Sequence, residues 1–365
     1  MSQERILIKG NDAIAFGAVD AGCRCYFGYP ITPQNEIPES LSSLLPAVGG
    51  QFVQAESEVG SINMVMGAGA CGIPAMTSSS SCGISLMQEG ISYMAGSHVP
   101  GVVVNMVRGG PGLGDIGPSQ GDYFQAVKGG GHGDYRCFVI APATAQECYD
   151  MMFWAFESAF KYRNPVLVLG DAIVGQIKEP VLRQPPATAL GFEGLKAQAA
   201  AWRVEGYGSR GQNTSVAPKR LLKSVYLADG ALAKRNELLM EKYAAMHAEA
   251  KALCLDTEDA DLVIVAYGSI GRIAQSAQRM LRAQGHKIGI VRPLTLYPFP
   301  STVLEKLAAR GKRFLVIEQN TGQMVEDVRL AVRKYGDAQW HGIMPGLFIG
   351  ADTLLQPIVN ALKGA

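Results

Sequence analysis

Short, almost uninterrupted runs of aliphatic and β-branched residues recur along this chain, each separated from the next by about one helix. GVVVNMV (Gly101–Val107), PVLVLG (Pro165–Gly170), DLVIVAYG (Asp261–Gly268) and RFLVIE (Arg313–Glu318) are the clearest. A strand that is apolar at nearly every position has no polar face to turn to water, so both of its faces must be covered. Helical patterns lie between the runs. The strongest spans Thr144–Lys161, where Met151, Met152, Ala155, Phe156 and Ala159 fall on one face. Strand–helix alternation of this kind predicts an α/β fold built on parallel sheets with helices on both sides.

The 365 residues suggest two domains at roughly 100–200 residues each, and the pattern divides accordingly. Residues 1–180 carry strand candidates at Arg5–Lys9, Cys23–Tyr29, Gln51–Gln54, Ala75–Thr77, Gly101–Val107, Cys137–Ile140 and Pro165–Gly170. Residues 181–257 break the alternation with Pro185, Pro186 and Pro218, a loop-like Gly206–Gly211 and a charged helix over Arg235–Leu253. They read as a connecting or crossing segment. Residues 258–365 restart the alternation, with strands at Asp261–Gly268, Lys287–Arg292, Arg313–Glu318 and a short one near Gly346–Ile349.

Composition removes several classes of function. Charged residues make up 18% of the chain, against a usual share of about 25%, so much of the surface is expected to face other protein. Lys+Arg 33 against Asp+Glu 32 leaves no electrostatic footprint for nucleic acid. No apolar run approaches the roughly 18 residues of a membrane span, and no basic flank with an apolar stretch marks a signal peptide. The 7 cysteines form no Cys-x-x-Cys pair, and their odd, scattered placement reads as reduced thiols in a cytoplasmic protein.

Ligands of an open parallel sheet sit beyond the carboxyl ends of its strands. Four such ends in the first domain carry chemistry: Pro30-Ile31-Thr32-Pro33; Ala55-Glu56-Ser57-Glu58; Ser78-Ser79-Ser80-Ser81-Cys82-Gly83; and Arg108 followed by Gly109–Asp115. They offer a proline-flanked hydroxyl, a carboxylate, a serine shelf at a helix start and a fixed cation, a set that suits an anionic ligand. Each has a plainer reading: first-turn acids, a helix cap, a surface ion pair, a long turn. Their convergence on one edge favours a site. Two glycine patterns compete with it. Gly67–Gly72 fits Gly-x-Gly-x-x-Gly but follows a helix rather than a strand. Gly268-Ser269-Ile270-Gly271 follows a strand but lacks the third glycine and the acidic partner. Both weaken the competing idea of a nucleotide- or flavin-binding electron carrier. His132, in Gly129–Asp134, is the one histidine in a ligand-like loop.

The stretches GYPITPQNEIPESL, QAESEVGSINMVMGAGACGIPAMTSSSSCGISLMQEG and VRGGPGLGDIGPSQGDYFQAVKGGGHGD, followed by DLVIVAYGSIGRIAQSA, VRPLTLYPFP and EQNTGQMVEDVR, resemble the alpha subunit of 2-oxoacid:ferredoxin oxidoreductases. The similarity runs along almost the whole chain and is strongest toward the 2-oxoisovalerate branch. It implies a pyrimidine-type thiamine diphosphate-binding domain followed by a transketolase C-terminal-like domain. It also implies oxidative decarboxylation of a 2-oxoacid to an acyl-CoA and CO2, with electrons passing to an iron–sulfur centre and ferredoxin.

By resemblance Glu58 is the glutamate that engages the aminopyrimidine of thiamine diphosphate, Thr32 and Arg108 hold the substrate, and Pro30 and Ser81 line the cofactor and the cleft. The cofactor's diphosphate site needs Gly-Asp-Gly followed by Asn-Asn. Here Gly170-Asp171-Ala172 lacks the third glycine and no Asn-Asn occurs. The resemblance therefore implies a beta subunit that carries Mg2+ and a [4Fe–4S] cluster. It also implies a separate gamma subunit, a ferredoxin-like delta subunit and coenzyme A as co-substrate. A non-catalytic scaffold subunit is the alternative, and the joint presence of Thr32, Glu58 and Arg108 weighs against it. Tyr123 and Phe124, with the loop Gly109–Gly121, are expected to line an apolar pocket for the substrate side chain.

Overall fold

The computed structural model of the protein describes residues 5–204 and 221–364. The loop expected over Gly206–Gly211 lies outside them. The fully apolar runs are the centres of two sheets. In the larger sheet the order across is Thr295–Tyr297, Phe138–Ile140, Pro165–Asp171, Gly101–Gly109, Ala75–Ser79, Cys25–Gly28, Gln51–Gln54, with Asp115–Pro118 pairing off the Gly101–Gly109 strand. The pairs from Phe138–Ile140 through Gln51–Gln54 are parallel. Every residue of Gly101–Gly109 and of Pro165–Asp171 is buried, as strands without a polar face require. The helix Ala145–Tyr162 covers one side. Thr144 caps it, its Oγ1 accepting the Glu147 N–H at 3.1 Å, and its buried face joins the helix Gly10–Asp20 in one core.

The second sheet runs Ala252–Leu255, Ile288–Pro293, Leu262–Val265, Arg313–Glu318, Ala338–Gly342, parallel except at its first pair. Among the described residues no helix is long and apolar enough to cross a membrane.

Four elements differ from the sequence reading. Arg5–Lys9 is a strand, but it pairs antiparallel with Lys178–Leu182 in a separate two-stranded ribbon. It alternates exposed and half-buried residues, which a central parallel strand cannot do. The charged helix covers Ala231–Met246, ends in one 3-10 turn at His247–Glu249, and gives way to the edge strand Ala252–Leu255. The last strand is Ala338–Gly342 rather than Gly346–Ile349, because Gly346, at φ +85°, sits in a turn. Thr295–Tyr297 leaves the second half of the chain and joins the first sheet, antiparallel to Phe138–Ile140.

That crossing strand is one of several ties that hold the two halves together beside the site. Gln120 donates its backbone N–H to Gln319 O at 2.8 Å and its side-chain amide to Tyr267 O at 2.9 Å. Its Oε1 accepts the Gln319 N–H at 3.0 Å. Asp171 ends a first-sheet strand. It accepts the Ile173 and Val174 N–H groups at 3.0 Å each, and the Ser269 hydroxyl of the second half at 2.6 Å. Glu318, fully buried, accepts the Met324 N–H at 2.8 Å and the Trp340 indole at 3.1 Å. It thereby fixes the turn that carries Gln319 and Asn320. Burial pushes the Asp171 and Glu318 carboxyls up from the usual range, against the pull of these donors.

Candidate functional site

The carboxyl ends of Cys25–Gly28, Gln51–Gln54, Ala75–Ser79 and Gly101–Gly109 lie on one edge because these strands are parallel neighbours. Ser57 caps the helix Glu58–Ala70, its Oγ accepting the Gly60 N–H at 3.1 Å. That cap turns Glu58 inward. Glu58 is 6% exposed, whereas Glu56 is exposed and lies against Gly60. The fold thus separates two acids that sequence spacing leaves equivalent. Among the described residues the Glu58 carboxylate has one weak partner, the Ser79 hydroxyl at 3.4 Å, and it faces Gly83 at the start of the helix Cys82–Ser97. A buried carboxylate with so little compensation is costly unless something else supplies a donor.

Arg108 is 7% exposed. Its guanidinium donates to Thr32 O and to Leu113 O, both at 3.1 Å, and approaches Cys82 Sγ at 3.1 Å. Nε is buried and has no partner among the described residues. The planar fork therefore bridges the Thr32 loop to the glycine-rich loop and keeps one donor in reserve. Thr32 is exposed, and its Oγ1 accepts the Asn35 amide at 3.2 Å. The loop beneath it is pinned by Pro33 O, which accepts Asn11 Nδ2 at 2.8 Å and Gln176 Nε2 at 3.2 Å. Pro30 is exposed on the same loop.

Ser81 adopts φ 31° and ψ −85°, a conformation that costs roughly 1–3 kcal/mol in a non-glycine residue. A tight network holds it there. Its N–H donates to Asn105 Oδ1 at 3.0 Å, its hydroxyl donates to Asp122 Oδ2 at 2.8 Å, and its oxygen accepts the Arg108 N–H at 3.1 Å. Asn105 also donates to Asp122 at 2.8 Å. Burial raises the Asp122 carboxyl, and the bonds from Asn105 and Ser81 oppose the rise. Ser81 is thus a knot that orients the Arg108 strand end and the start of the Cys82–Ser97 helix. Asn105 and Asp122 were not singled out from the sequence. Asn105 carried one signal, as the polar residue inside GVVVNMV.

Other expectations resolve differently. Tyr123 does not line a pocket. It is fully buried and donates to Asp327 Oδ2 at 2.7 Å, because its ring packs against Tyr267 at the join between the halves. His132 stands edge-on to Tyr93, 11 residues along the helix from Cys82, or roughly 16 Å at 1.5 Å per residue. Gly72, at φ +73°, closes a helix C-terminus, and Gly268, at φ +56°, packs beside Gln120 and Asp171. Neither glycine pattern forms a phosphate cradle. Among the described residues no group of three or more His, Cys, Asp or Glu is placed to hold a metal ion.

A glycine-walled, buried carboxylate and a buried guanidinium thus share one edge of a parallel sheet. Comparison with known proteins shows the family. Residues 16–202 match the family model described as pyruvate flavodoxin/ferredoxin oxidoreductase, thiamine diphosphate-binding, and residues 260–348 match pyruvate:ferredoxin oxidoreductase core domain II. The chain belongs to the 2-oxoacid:ferredoxin oxidoreductase family, as a thiamine diphosphate-binding subunit of a multi-subunit enzyme.

Within that family it is 49% identical to the ketoisovalerate oxidoreductase subunit VorB of Methanothermobacter thermautotrophicus, over 89% of each chain. It is 36% identical to the 2-oxoglutarate synthase subunit KorA of Methanothermobacter marburgensis, over 98% of this chain and 99% of the relative. The solved 2-oxoglutarate:ferredoxin oxidoreductase of Magnetococcus marinus, with 2-oxoglutarate, coenzyme A and succinyl-CoA bound, superposes with a TM-score of 0.85 at 25% identity. The match covers 99% of this chain and 66% of that one.

Proposed function

We propose that this chain is the alpha subunit of a 2-oxoisovalerate-type oxidoreductase. In this reading the complex converts a branched-chain 2-oxoacid and coenzyme A to an acyl-CoA and CO2, and passes the electrons to ferredoxin. The observation that carries the reading is Glu58: buried, nearly without a partner, and on the same sheet edge as the Arg108–Thr32 pair. The higher identity to a ketoisovalerate oxidoreductase subunit than to a 2-oxoglutarate synthase subunit supports the branch.

Each residue has a distinct part. Glu58 accepts a hydrogen bond from the aminopyrimidine ring, and the dry surroundings make that bond strong and preorganised. Bound thiamine diphosphate supplies the nucleophilic carbon and the electron sink that decarboxylation requires. Arg108 holds the substrate carboxylate, Thr32 positions its carbonyl, Ser81 keeps the Arg108 strand end in register, and Pro30 lines the cofactor side. Asp171 is fully occupied by Ile173, Val174 and Ser269, so the Mg2+–diphosphate end is assigned to a beta subunit, which also carries a [4Fe–4S] cluster. A gamma subunit and a ferredoxin-like delta subunit complete the cytoplasmic complex. Within this chain, residues 1–180 and 258–365 are taken as the two domains with 181–257 between them, except that Ala252–Leu255 pairs into the second sheet and Thr295–Tyr297 into the first.

The test is Glu58→Gln in the reconstituted complex. Turnover, read as CO2 release and viologen reduction with a panel of 2-oxoacids, is expected to fall by about 10²–10³-fold while assembly is unchanged. Near-normal turnover removes the assignment.

A further inference from the structure

Beside Thr32 a cleft of about 870 Å³ opens between the first half of the chain and the second. Its walls include Thr32, Ile116 from the strand Asp115–Pro118, Ile173 from the short helix Ala172–Gln176, and Ile273, Phe348 and Ile349 from the second half. Thr32 connects the cleft to Arg108: it lines the cleft, and its carbonyl accepts the Arg108 guanidinium at 3.1 Å. Phe348 is 77% exposed and Ile116 61% exposed. These are large apolar side chains left in water at the mouth of a concavity, an arrangement that marks a binding surface.

The charge on these walls is one-sided. Among the described residues the charged groups lining the cleft are Glu36 and Asp115, and no Lys, Arg or His lines it. Lys9, the cation nearest to Glu36, is bound to it at 2.7 Å, and Asn11 and Gln176 hold the other carboxylate oxygen. Among the described residues Asp115 is tied only to the Gly117 N–H, at 3.0 Å. An apolar side chain gains by entering such a cleft. A second carboxylate would lose its water there and face Asp115, the lining acid that no cation pairs among the described residues.

We propose that this cleft is the side-chain subsite for the 2-oxoacid, and that it selects monocarboxylic 2-oxoacids over dicarboxylic ones by charge rather than by size. The inference rests on the function proposed above.

The experiment places a cation on the wall at two exposed positions, Phe348→Arg and Ile116→Arg, in the assembled complex, with Phe348→Gln as the uncharged control. kcat/KM is measured for 2-oxoisovalerate and 2-oxoglutarate. Both arginine variants are expected to raise the absolute value for 2-oxoglutarate, and to shift its ratio to 2-oxoisovalerate by about tenfold or more. The glutamine variant is expected to lower 2-oxoisovalerate turnover without that gain. A ratio that moves less than about twofold in both arginine variants, or an equal gain in Phe348→Gln, overturns the subsite while the wild-type turnover still upholds the function. A wild-type complex that turns over no 2-oxoacid overturns both.

Discussion

Replacing Gly83 with alanine isolates geometry from chemistry, because it removes no functional group. A Cβ at Gly83 would stand 3.0 Å from Glu58 Cδ and nearer still to Glu58 Oε1 and Ser79 Oγ. Carbon atoms rest at roughly 3.5–4.0 Å, so the carboxylate must retreat by about 0.5–1 Å. The fully buried Ser79 hydroxyl, nearest of all, must turn away as well, which removes the hydrogen bond it makes to Glu58. Overpacking of this kind costs about 1–3 kcal/mol of stability, which a chain of this size tolerates. A catalytic group misplaced by about 1 Å loses about 10²-fold in rate. Gly83→Ala is therefore expected to assemble with its partners, as read by size-exclusion chromatography, and to turn over 2-oxoacid about 10²-fold more slowly in viologen-reduction assays. Wild-type turnover in an assembled Gly83→Ala complex would refute the argument that the position of Glu58 is what the glycine protects.

Two further outcomes are expected. Arg108→Lys keeps the charge but loses the planar fork that reaches Thr32 O, Leu113 O and Cys82 Sγ together. KM for 2-oxoacids should rise about 10–100-fold with a smaller change in kcat, and an unchanged KM would show that another group holds the carboxylate. Lys242 is lowered to about 7 by burial, with Arg235 and Arg163 adding to the effect. It touches His98 Nδ1 and Arg163 O at 3.3 Å, and no carboxylate partner is seen among the described residues. Its folded value lies below its ordinary 10.5, so between pH 7 and 10.5 the unfolded chain binds more protons and this group makes stability rise with pH. Below pH 7 the full cost of burying the charge is present. The shift sets a ceiling of roughly 5 kcal/mol. Lys242→Met should stabilise the chain at pH 7 by about 1–3 kcal/mol in urea titrations and flatten the rise toward pH 10; parallel pH profiles for the two proteins would contradict this.

What the sequence disclosed is what hydrophobicity controls. The runs Gly101–Val107 and Pro165–Gly170 could only be buried parallel strands. Once they are neighbours, the loops after them must share an edge, and that sufficed to gather Thr32, Glu58, Ser81 and Arg108. The preference for Glu58 over Glu56 came from resemblance. Its physical basis is the Ser57 cap, which a pattern of alternating residue types does not display.

The parts that stayed hidden depend on pairings across long stretches of chain. Thr295–Tyr297 is too short to show a period, and its partner is more than a hundred residues away. Asp122 looks like any loop acid until Ser81 and Asn105 meet it. Tyr123 reads as a pocket residue because aromatic rings suit pockets, yet its hydroxyl finds Asp327 and its ring is drawn into the join. Ala252–Leu255 continues the composition of the preceding helix, and only the free edge at Ile288–Pro293 makes it a strand.

The loan of Thr295–Tyr297 to the larger sheet makes the chain a closed loop in mechanical terms. If the polypeptide were severed anywhere between Tyr162 and Thr295, the amino-terminal fragment would be left with a raw border along Phe138–Ile140, open to mispairing, and the carboxy-terminal fragment would trail an orphaned ribbon. The larger sheet is therefore complete only when both halves of the chain are present.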